Sequence, residues 1–74
     1  MYTYEVPGYF SKSRAEVIKQ KLQGRTYYNF NVQYGGMADN NKIFVSSEYD
    51  VKGKKKEFEE MVIFFVFNEL WIDR

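Results

Sequence analysis

From Met61 to Phe67 the chain reads Met-Val-Ile-Phe-Phe-Val-Phe, seven apolar residues without interruption. Whatever this sequence folds into has to cover them. As a helix the run is apolar on every side, whereas a surface helix shows polar positions behind its apolar stripe. As a strand it is equally well composed, because Val, Ile and Phe suit a buried sheet. Length decides for the helix: from Glu60 to Arg74 neither Gly nor Pro occurs, and a buried strand usually spans only about four to eight residues. The reading is one long helix over 54–72, with Phe58, Met61, Val62, Phe65 and Leu70 on or near its inner face. The alternative is a short helix at 51–60 followed by a strand at 62–67.

A membrane is not expected to cover the run. A spanning helix needs about 20 apolar residues, and Asn68 and Glu69 interrupt this one first. The N-terminus, Met-Tyr-Thr-Tyr-Glu, has neither the basic start nor the apolar core of a signal peptide, so a cytoplasmic location is expected.

With 74 residues the chain is one small domain, and domains of this size bury only about 60% of the surface that their unfolded chains expose. Others of this size add disulfides or metals, but Cys and His are both absent here. The core therefore falls to bulky rings: seven Tyr, seven Phe and one Trp make up 20% of the chain. The same absences exclude thiol nucleophiles, Ser-His-Asp triads and His-based acid–base chemistry. Soft metal ligands are missing too. A net charge of +1 announces neither nucleic acid nor membrane through a global field.

Upstream, residues 2–6 alternate as a half-buried strand does, with Tyr2, Tyr4 and Val6 on one face and Thr3 and Glu5 on the other. Pro7-Gly8 stops that strand. Ser13-Arg-Ala-Glu16 fits a capping box, and Ser11 is a competing cap with Phe10 and Ala15 as its staple. Ala15, Ile18 and Leu22 recur at helical spacing up to Gly24, a natural C-terminal stop. In 27–34 the alternation is clearest: Tyr28, Phe30, Val32 and Tyr34 share one face, and Tyr27, Asn29, Asn31 and Gln33 share the other. A loop of about seven residues, from Gly35 to Asn41, then leads into a third strand over 42–49 with Ile43 and Val45 inward. Asp50 is a turn residue or the cap of the second helix.

The order βαββα predicts an α+β fold, a three-stranded antiparallel-type sheet with both helices on one face. The alternative strand at 62–67 would complete a ferredoxin-like βαββαβ unit.

Three features are candidates for function. Ile63, Phe64, Phe67 and Trp71 fall away from the inner face of the long helix and form an apolar patch of a size that monomers rarely expose. They are the predicted interface, for a homodimer through isologous packing or, second, for a heterologous protein partner. Lys52, Lys54, Lys55 and Lys56 form a basic cluster. It reads mainly as a solvated face whose Lys55–Glu59 and Lys56–Glu60 spacing fits ion pairs, and otherwise as a weak nucleic-acid backbone binder. The latter requires Arg14, Lys19, Lys21 and Arg25 to share the same face. The polar side of strand two, with Thr3, Glu5 and Phe44, is a wetted sheet face, or one that a partner covers.

Catalysis finds no constellation. Glu5, Glu48, Asp39 and Asp50 lie in separate elements without ligand spacing, and Gly35-Gly36 lacks the following Lys or helix of a phosphate loop. The expectation is a non-catalytic interaction domain with no cofactor and no metal.

Overall fold

A computed structural model describes residues 2–25 and 28–69. Its elements are β1 (Thr3–Glu5), α1 (Lys12–Leu22), β2 (Asn31–Met37), β3 (Asn40–Ser46) and α2 (Lys55–Phe64), which runs on into a π-helical turn at Phe65–Glu69. β3 is the central strand, antiparallel to β1 on one side and to β2 on the other. This is the expected α+β fold of βαββα order. The alternative strand at 62–67 is overturned, because those residues are helical throughout.

The registers sort the side chains into two faces. Tyr4 sits opposite Val45, Val32 opposite Val45, and Tyr34 opposite Ile43, all toward the helices. Thr3, Glu5, Asn31, Gln33, Phe44 and Ser46 point to the other side. Ala15, Ile18 and Leu22 of α1 join Val6, Val32, Ile43 and Val45 in the core with almost no exposed surface. Phe58 of α2 completes it from above, its ring edge-on to those of Tyr28 at 5.4 Å and Phe30 at 5.6 Å. Edge-to-face rings at these distances contribute beyond their buried area.

Of the two candidate caps, Ser11 is used: its hydroxyl accepts the amide of Arg14 at 3.2 Å, and Phe10 and Ala15 are both buried beside it. Gly24 follows the helix with φ 73. Asp50 serves as a turn residue, its carboxylate accepting the amide of Lys52 at 3.0 Å, while Lys54 holds the N-cap position of α2 without a side-chain cap bond.

Strand two differs from its expected bounds. It begins at Asn31 because Asn29 has φ 53, which breaks extended pairing. Tyr28 and Phe30 are still buried, held by a turn in which Gly24 donates to the Phe30 carbonyl at 2.9 Å. At its far end the strand continues through Gly35-Gly36 to Met37, so the expected seven-residue loop is a two-residue turn, Ala38-Asp39. β3 correspondingly starts at Asn40 and ends at Ser46. The buried Ser47 hydroxyl, bonded to the Tyr28 carbonyl at 3.0 Å, leads the chain out of the sheet.

The π turn has a geometric consequence for the apolar run. In a straight α-helix each i+4 step drifts about 40° around the axis. Phe58, Val62 and Val66 follow such steps, yet all three are fully buried. The wider turn after Phe64 takes up the drift and keeps Val66 inward. Phe65 is half-buried, and Leu70 lies outside the described residues.

Candidate interaction surfaces

Phe64 and Phe67 are 53% and 40% exposed, and Ile63 is half-buried. Ile63 and Phe64 are the last two residues of α2, and Phe67 follows in the π turn. Phe64 lies edge-on to Phe65 at 5.7 Å, and Phe67 leans toward Phe10 at 6.3 Å. Arg25 stacks over Phe65 at 5.0 Å, placing a cation against the same aromatic group. Trp71, the fourth predicted interface residue, lies outside the described residues.

Lys52, Lys54, Lys55 and Lys56 are all exposed at the entrance to α2. Lys55 sits 5.0 Å from the Tyr2 ring centre, next to β1. The expected Lys55–Glu59 pairing has a competitor: Glu59 accepts the Tyr2 hydroxyl, and Glu57 accepts the Tyr28 hydroxyl at 3.0 Å. The Tyr2 bond raises that phenol's pKa above its ordinary value, with burial and the Glu59 charge adding to it. Tyr4 is raised as well, by burial first and then by Glu59. Lys19, a required companion of the cluster in the nucleic-acid reading, reaches instead to Tyr34 of β2, at the opposite edge of the sheet.

The helix-free face of the sheet carries a shallow hollow of about 240 Å³ lined by Thr3, Asn31, Gln33, Phe44 and Ser46. Phe44 is 37% exposed, between Glu5 and Gln33 of the flanking strands. Lys42 on this face is engaged by Glu5 at 3.2 Å and by the Gly8 carbonyl at 2.9 Å, over the ring of Tyr9. Asn29 has left this face and donates to Glu48, and Tyr27 is outside the described residues.

A fourth surface was not legible in the sequence. Between α1 and the edge strand β2 runs a groove of about 490 Å³, lined by Glu16, Lys19, Gln20, Gln23 and Tyr34. Its only early signal is that 31–37 holds no charged residue and no proline.

Among the described residues no cluster of three or more acidic side chains could hold a metal ion, and no helix is long and apolar enough to cross a membrane. No protein-family model matches the chain, and no curated protein or solved structure is significantly similar to it.

Proposed function

We propose that the protein is a non-catalytic interaction domain that pairs with a second copy of itself through Ile63, Phe64, Phe67 and Trp71. The observation carrying this reading is the exposure of Phe64, at the end of α2, and of Phe67, in the π turn, in a domain whose other Phe side chains, apart from Phe44, are buried or half-buried. Burying one such ring contributes roughly 1.5–3 kcal/mol. A twofold axis beside the helix buries both rings twice, since an isologous contact repeats every residue on its partner.

Light scattering coupled to size-exclusion chromatography, over about a hundredfold dilution, tests it. A mass of twice 8.9 kDa that falls on dilution is expected. The Phe64→Ser/Phe67→Ser variant should stay folded by circular dichroism and run as a monomer. A wild-type monomer at every concentration, or a double variant that keeps the dimer, refutes the reading.

A further inference from the structure

We propose that β2 accepts an extended segment of a partner protein as a fourth strand, seated in the groove between β2 and α1. The backbone directions carry the argument. Val6 donates to the Ile43 carbonyl at 2.9 Å, and Phe10 and Asn41 exchange both of their backbone bonds at 2.9 Å. The odd-numbered residues of β3 therefore address β1. Asn40, Lys42, Phe44 and Ser46 address β2, where their register partners are Met37, Gly35, Gln33 and Asn31. It follows that the N–H and C=O groups of Val32 and Tyr34 point out of the sheet, into the groove.

One of these groups already shows what it recruits. The Val32 amide donates to the side-chain carbonyl of Gln23 at 2.9 Å, an amide oxygen standing where a neighbouring strand would place its own. The groove also keeps step with an extended chain. Gln23 sits beside Val32 and Lys19 beside Tyr34, so four helical residues, about 6 Å, match two strand residues of nearly the same length.

The two sheet edges are unequal. β1 has three residues, carries Glu5 and is followed after Val6 by Pro7. β2 has seven residues with no charge and no proline, the devices by which edges usually repel added strands. A second copy is the poorer occupant. Pairing β2 with β2 would bring the two α1 helices together through Glu16, Lys19, Gln20 and Gln23, burying charges at the seam. A single extended chain leaves those side chains in water. With one anion and one cation on its wall and the half-buried Tyr34 as its floor, the groove suits a neutral segment held mainly by its main chain.

The test uses a phage-displayed library of random linear peptides selected on the intact protein. The strongest binder is then synthesised and titrated into ¹⁵N-labelled protein. Shift changes centred on the amides of Val32, Tyr34, Lys19 and Gln23 are expected. Methylating the peptide's edge-facing amide nitrogens should weaken binding by about tenfold or more. Gln23→Ala, which frees the Val32 amide, should leave binding intact or tighten it. Phe64→Ser/Phe67→Ser should leave it unchanged, which separates this site from the proposed dimer surface. The proposal is overturned by a library that yields no binder, by shifts centred on Phe44 or Phe64, by unaltered affinity of the methylated peptide, or by a wild-type dimer that Tyr34→Pro dissociates.

Discussion

The side-chain nitrogen of Asn41 lies 2.7 Å from the carbonyl oxygen of Met37, bridging the two ends of the β2–β3 turn from a buried position. The same nitrogen is 3.1 Å from the Ala38 carbonyl and 3.3 Å from that of Phe10. Ala38 in turn accepts the amide of Lys12 at 3.0 Å. One amide side chain thus ties the hairpin to the connection that launches α1.

Asn41→Ala removes the side-chain bonds to Met37, Ala38 and Phe10, each contributing about 0.5–1.5 kcal/mol net, while the Ala38 and Phe10 carbonyls keep their backbone donors. A loss of about 2 kcal/mol in urea denaturation is expected, with no change in the native circular dichroism spectrum. Asn41→Asp should cost more at about pH 7 than at about pH 3, because only the protonated acid can donate to these carbonyls. Equal stability of Asn41→Ala and wild type would show that the bridge contributes nothing.

This bridge also marks where sequence reading stops. The period-2 face of β1, the alternation of strand two from Asn31 to Tyr34, the inward Ile43 and Val45, and the helical stripe of Ala15, Ile18 and Leu22 are local patterns and are realised, whereas the alternation expected upstream of Asn31 is broken by the positive φ of Asn29. The helical outcome for 61–67 followed from length alone. What was not legible depends on contacts between distant residues. Asn41 looks like loop chemistry until Phe10 pairs with it, 31 positions away. The two glycines look like a break until the turn closes behind them. The groove on β2 exists only because β3, not β2, occupies the middle of the sheet, and nothing in the order of elements specifies that. Phe64 and Phe67 were singled out correctly as outward-facing, since helical spacing alone places them away from Phe58.

The adjacent glycines Gly35 and Gly36 are not equivalent. Gly36 has φ 140, and a Cβ there would stand 2.5 Å from the Asn40 carbonyl, so the hairpin closes only without a side chain. Gly35 has no atom within 4 Å of such a position and an ordinary backbone angle. Gly36→Ala should therefore lower the thermal midpoint clearly, at a cost of about 1–3 kcal/mol for strain of this kind. Gly35→Ala should be neutral or slightly stabilising, by up to about 1 kcal/mol, through a less flexible unfolded chain. Reversal of that order would place the strain elsewhere in the turn.

Tyr2 and Tyr4 link stability to alkaline pH. Both phenols are raised in the folded protein, Tyr2 chiefly by its bond to Glu59 and Tyr4 chiefly by burial. A group with a raised folded pKa binds its proton more tightly folded than unfolded. Its stabilising contribution is complete below the unfolded value of about 10 and is lost as pH climbs through the folded value. Stability should consequently hold level up to about pH 10 with respect to these two groups and decline above it. Tyr2→Phe cannot ionise and also leaves Glu59 without its phenol partner, so the variant should start less stable near neutrality and lose less between about pH 10 and 11. Urea midpoints at matched pH read the difference, and absorbance at alkaline pH should show one late-ionising phenol fewer in the variant. Parallel declines for variant and wild type would mean that the Tyr2–Glu59 bond does not distinguish the folded phenol from the unfolded one.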